Sequence, residues 1–108
     1  MERFVKGDVV VLPYPFTDSS QTKRRPALII SNQVNEDIIA CQITSRSGNN
    51  AIALGKEHFE KGNLSAESYI KPFHIFTIKT RRIYYKVGQL KKPKWIEVSK
   101  ALQELFSP

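Results

Sequence analysis

KRRPALIIS, residues 23–31, is the stretch on which the reading of this chain turns. Three cations run into a proline, and an apolar run follows. Proline lacks the N–H that a central strand donates, so Pro26 fits a strand as its first residue, and residues 26–31 read as a strand. Proline fixes the backbone just after it, and burial pins the strand. Arg25 is then a charged fork on a rigid support. A guanidinium is planar and can meet two phosphate oxygens at once. The same charge can instead guard a strand edge against aggregation. Lys23 and Arg24, further out, are better placed to attract anions than to orient them.

Working upstream, PYPFTDSSQTKRR (residues 13–25) holds two prolines, a Ser/Thr/Asp cluster and then the cations. That is loop chemistry, and loops of roughly a dozen residues in small domains tend to carry function. Before it, VVVL (9–12) follows the turn pair Gly7-Asp8 and reads as a short buried strand.

Downstream, DIIACQITS (37–45) is a third strand, expected to be buried on both faces over 38–41. RSGNN is a turn, and AIAL (51–54) is a fourth strand. Residues 56–62 suggest one helical turn ended by a glycine. SYIKPF (68–73) and IFTI (75–78) are strand-like, with Pro72 marking a bulge or kink, and 81–90 includes a further strand. From Lys92 the period changes. Trp95, Val98, Leu102, Leu105 and Phe106 recur at helical spacing, and Pro93 suits a first turn, so residues 93–106 form one amphipathic helix. The expected architecture is mainly β: one domain over residues 1–108, a small, strongly curved sheet or barrel with a terminal helix covering one opening.

Composition narrows the partners. With 41% apolar residues, 108 residues suffice for one compact core. Seventeen Lys+Arg against ten Asp+Glu leave +7, which suits a nucleic acid or an acidic protein, or simply a soluble basic protein. The single cysteine, Cys41, lies in an apolar run and reads as a buried structural thiol. No apolar run approaches the roughly 18–20 residues that span a bilayer, and the N-terminus has no cleavable signal pattern, so the cytoplasm is the expected compartment.

Several chemistries lack their residues. His58 and His74 stand alone without ligand spacing, so no metal site is expected. The five glycines are scattered, and no Ser-x-x-Lys or Gly-x-Ser-x-Gly signature occurs. Glu57 and Glu60 read as solvated. What remains is the basic stretch and the end of the third strand. There Gln42 and Thr44 point to one face, Ile43 and Ser45 to the other. A hydroxyl in that place can contact a phosphate or bond a neighbouring backbone group.

Taken together, GDVVVL, the loop SSQTKRRP, the strand RPALIIS, the ITS that ends the third strand, GNLSAESYIKPFHIFTI and the terminal VGQL with its helix resemble the MazF/PemK family of toxin–antitoxin endoribonucleases. The resemblance runs over residues 7–106. It implies an SH3-like barrel, a homodimer, and cleavage of single-stranded RNA with no metal or cofactor. It also implies a partner antitoxin whose extended acidic and apolar tail fills the RNA groove. The arginine before the proline and the threonine ending the third strand are the family's catalytic pair, here Arg25 and Thr44. Many members carry Ser-Glu-Gln in the first loop; this chain has Ser19-Ser20-Gln21, so Ser20 stands where they have glutamate.

The implied chemistry is attack by the RNA 2′-OH on the adjacent phosphorus, with Arg25 on the scissile phosphate and Thr44 donating or relaying a proton. RNA contacts are expected from Lys23, Arg24, Ser45 and Arg46. Tyr14 and Phe16 can stack bases, at about 1–3 kcal/mol each, and Ser19 and Gln21 can read base edges. Phe16 can instead lid the barrel core. Two other classes stay open at this point. One is a non-catalytic RNA- or DNA-binding barrel that holds its ligand through Lys23, Arg24, Arg25 and Arg46. The other is an interaction protein whose charge serves an acidic partner.

Overall fold

The computed structural model describes residues 3–13 and 24–108. Within them run β1 (Asp8–Pro13), β2 (Arg24–Ile29), β3 (Asp37–Thr44), β4 (Ile52–Leu54), β5 (Phe59–Gly62), β6 (Ser68–Lys79), β7 (Tyr85–Leu90) and α1 (Lys92–Leu105). The strands form one antiparallel sheet in the order β4-β6-β3-β2-β1-β7-β5.

Alternation along the central strands divides the interior in two. Val10, Leu12, Ala27, Ile29, Ile38 and Ala40 pack with Phe4, Phe76 and Ile78 on one face. Val9, Leu28, Cys41 and Ile43 pack on the other, with Ile70, Leu54, Phe59 and Val98. Leu54 and Phe59 belong to β4 and β5, the two ends of the strand order, yet they share one cluster. The sheet therefore curls until its edges meet a common core, and α1 fills the gap through Val98, Trp95 and Leu102. The helix thus occupies the Leu28–Ile43 face and leaves the opposite one uncovered by it.

Several expectations change in detail. Arg24 and Arg25 are the first residues of β2, and Pro13 closes β1 opposite Arg24. Pro26 is the third residue of its strand, and the register explains why that is tolerated. Gly7 N donates to Ile29 O, while Ile30 N donates to Ile39 O, so even positions of β2 turn their amides toward β3. The β2–β3 register runs Ala27↔Gln42, Leu28↔Cys41, Ile29↔Ala40, so Pro26 lies at the end of that ladder, where a missing N–H disrupts least. Residues 56–62 form a single 3-10 turn, Lys56–His58, followed by β5, because Phe59 is drawn into the core while the rest of that edge strand is exposed. The two segments around Pro72 are one twelve-residue strand, β6, with a register shift there.

Within 38–41, Ile39 is exposed while its neighbours are buried, so that run is not covered on both faces throughout. In α1, Val98 is buried and Trp95 and Leu102 are partly so, but Leu105 and Phe106 at its end are exposed. No helix among the described residues is long and apolar enough to cross a membrane.

Candidate active site

The β2–β3 pairing runs Ala27↔Gln42, Leu28↔Cys41, Ile29↔Ala40. Continued by two residues, the same register sets Arg25 opposite Thr44. Odd positions of β2 and even positions of β3 share a face, so the two side chains belong to the same side of the sheet. Leu12 pairs with Arg25 from β1, and Tyr69 pairs with Thr44 from β6. Residues at this end of β2 and β3 line a groove of about 540 Å3. Arg25 and Pro26 form one wall. Residues 42–46 form the other, and Leu64, Ser65, Ala66 and Ser68 close it.

Rigidity differs along this wall. Arg25 is exposed but sits on a strand whose next buried residues, Ala27, Leu28 and Ile29, have no solvent exposure. Thr44 is half-buried, and its Oγ1 accepts a hydrogen bond from Arg46 N at 3.3 Å. The threonine therefore does bond a neighbouring backbone group, and its O–H remains a donor for something else. Ser45 and Arg46, exposed in the turn that follows, line the same groove.

The electrostatics favour an anion. Among the described residues that line the groove none is acidic, and two are guanidinium groups. The ion pairs formed among the described residues engage Lys79, Arg81, Lys86 and Lys94, not Arg25 or Arg46. Among the described residues, no cluster of three or more His, Cys, Asp or Glu side chains that could hold a metal ion occurs.

Arg25, Thr44, Ser45 and Arg46 are thus brought together. Arg24 is not: it lies on β2 with its guanidinium 4.9 Å from the centroid of the Tyr84 ring. Tyr14, Phe16, Ser19, Ser20, Gln21 and Lys23 fall outside the described residues. Sequence reasoning missed Tyr69 and Lys71, which β6 sets opposite Thr44 and Gln42, and the Leu64–Ser68 side of the groove. Only the pairing partner of β3 could have pointed to them, and that partner is not written in any local pattern. Cys41, by contrast, is where it was expected. It is fully buried, and desolvation pushes its thiol up to about 12.

Residues 5–106 match the family of PemK-like, MazF-like toxins of type II toxin–antitoxin systems. No curated protein sequence matches. Among solved structures, similarity is found to an endoribonuclease in complex with its cognate antitoxin from a mycobacterial species, with TM-score 0.76 and 18% identity over 100% of this chain and 98% of the other. MazF from Deinococcus radiodurans is similar at TM-score 0.76 and 22% identity, covering 97% of both chains. A MazE–MazF structure from the same organism gives TM-score 0.77 and 22% identity over 96% of each chain. At such identities these likenesses establish a shared fold.

Proposed function

The chain belongs to the PemK-like, MazF-like toxins of type II toxin–antitoxin systems, and from that premise we propose that it is an endoribonuclease that cuts single-stranded RNA in the groove between β2 and β3. The observation that carries this reading is the register that sets Arg25 opposite Thr44, in a groove that also holds the guanidinium of Arg46.

RNA brings its own nucleophile. The 2′-oxygen attacks the adjacent phosphorus as the bond to the 5′-oxygen breaks, and a proton passes from the 2′-OH to the departing oxygen. The products are a 2′,3′-cyclic phosphate and a 5′-OH, and the step calls on no metal ion or cofactor. What the protein supplies is alignment and charge. Arg25 grips the scissile phosphate and stabilises the charge that builds on its oxygens. Thr44 donates its O–H to a phosphate oxygen, with its orientation held by the bond from Arg46 N. A guanidinium stays protonated throughout the ordinary pH range, so the base that takes the 2′ proton is a substrate phosphate oxygen or a bound water.

Arg46 and Ser45 hold the neighbouring phosphates. With a net charge of +7, the chain suits both a polyanion and an antitoxin whose acidic, extended tail occupies the same groove. A homodimer in the cytoplasm completes this reading.

The test is direct. Purified protein is incubated with an end-labelled, unstructured RNA in EDTA, and the products are analysed for cyclic-phosphate ends. Discrete fragments are expected. RNA that binds without being cut would leave a non-catalytic binding barrel in place of the nuclease.

A further inference from the structure

β6 breaks its register beside the groove. Against one step of β3, from Cys41 to Gln42, it moves from Ile75 to Lys71, so that Pro72, Phe73 and His74 are extra. Bulges disrupt ladder hydrogen bonds, and they recur where a side chain must be re-aimed. Pro72 has no N–H to lose at such a break. The outcome is a specific contact: His74 Nδ1 lies 2.8 Å from Gln42 Oε1. A ring N–H at Nδ1 donates to the amide oxygen, which leaves the Nε2 amino group as the part of the amide free for a ligand.

Gln42 lines the groove, two residues from Thr44 on the same face, and pairs with Ala27, two residues from Arg25. An oriented amide donor thus stands two rungs from the Arg25–Thr44 pair, on the same face. Single-stranded RNA is told apart by hydrogen bonds to the edges of splayed bases. An NH2 group can donate to O4 of uracil or O6 of guanine, and it meets only another amino group at N4 of cytosine or N6 of adenine.

Resting on the endoribonuclease reading above, we propose that Gln42 is a specificity-determining residue, its amide oriented by His74 so that Nε2 selects a keto base over an amino base beside the scissile phosphate. His74 is a positioning residue that acts through Gln42.

A pool of unstructured RNAs with randomised sequence is cut by each variant, and the fragment ends are sequenced to give base preference position by position. The wild type is expected to prefer uracil or guanine at one position flanking the cut. Gln42→Glu replaces the donor by an acceptor, and the keto-to-amino ratio at that position should fall by about fivefold to tenfold. His74→Ala, at an exposed residue, should flatten the same position while the others keep their preferences. His74→Gln, whose amide can donate to Gln42 Oε1, should restore it. Preferences unchanged in both Gln42→Glu and His74→Ala, or blurred equally at every position, would overturn the assignment while leaving the nuclease intact. A wild type that yields no fragments defeats the nuclease reading and this one with it.

Discussion

Arg25 and Thr44 line one groove, and the β2–β3 register, continued two residues beyond Ala27↔Gln42, sets them opposite each other. The strands are held in register by buried residues immediately behind, among them Ala27, Leu28 and Cys41. The groove thus lies at the end of a well-fixed ladder.

Removal of either group should therefore cost activity and spare the fold. Arg25→Ala takes away the donor proposed for the scissile phosphate and should lower the cleavage rate by about 10²–10³. Arg25→Lys keeps the charge but loses the two-pronged geometry, and should recover only part of the rate. Arg25 is exposed, so circular dichroism and thermal unfolding should match the wild type. An Arg25→Ala protein that cuts RNA as fast as the wild type would end the mechanism.

Gly62 ties the groove to the sheet. It ends β5 with φ of +66°, and a Cβ there would collide with the backbone carbonyl of Val87 in β7. The chain then runs into residues 64–68, which close the groove. Gly62→Ala meets both a left-handed backbone and that collision, so a loss of at least about 1–3 kcal/mol is expected in denaturant unfolding. RNA affinity should fall as well, because the β5–β7 pairing that launches the loop must shift. Unaltered stability in this variant would contradict the β5–β7 register.

Much of this fold is legible locally, and the limits have physical causes. β1, β2 and β3 are apolar runs bounded by turn residues, and α1 shows helical spacing, so burial itself writes them into the sequence. β5 is different. Only Phe59 of Phe59–Gly62 is buried, and one apolar residue cannot set a period. Leu105 and Phe106 mislead in the opposite sense, since they continue the helical stripe yet stay exposed. At the groove, Arg25 and Thr44 could be singled out by residue type and by family resemblance. Their opposition depends on pairing between strands nineteen positions apart, by the difference of their numbers. Tyr69 and the Gln42–His74 contact depend further on the β6 register and its shift, which local pattern marks only by Pro72.

Asp8 is buried completely, and its carboxylate accepts from Val5 N at 2.9 Å and pairs with Lys86 Nζ at 3.3 Å. Through these bonds it joins the segment before β1 to β7. Asp8→Ala takes away the charged acceptor of the Val5 N–H, and a loss of about 1–3 kcal/mol is expected. The ion pair adds little to this, since the Lys86 side chain is 32% exposed and solvent screens it. Asp8→Asn retains an acceptor for Val5 N and should lose less. Equal unfolding midpoints for the two variants would show that charge, not the hydrogen bond, dominates at this position.

Cys41 gives the fold a pH dependence of definite sign. A thiol is neutral when protonated, and burial raises its pKa from an ordinary 9.0 to about 12. The folded state thus favours the protonated form. Its contribution to stability is intact below about 9 and is lost as pH climbs from there toward 12. At pH 8 a thiol-specific reagent should leave the native protein untouched and label it rapidly in guanidinium chloride. Thermal unfolding across pH 8 to 11 should show a steeper alkaline loss for the wild type than for Cys41→Ala, which has no thiol to ionise. Rapid labelling of native protein would mean that solvent reaches the Leu28–Ile43 face, and the packing of α1 against it would have to be abandoned.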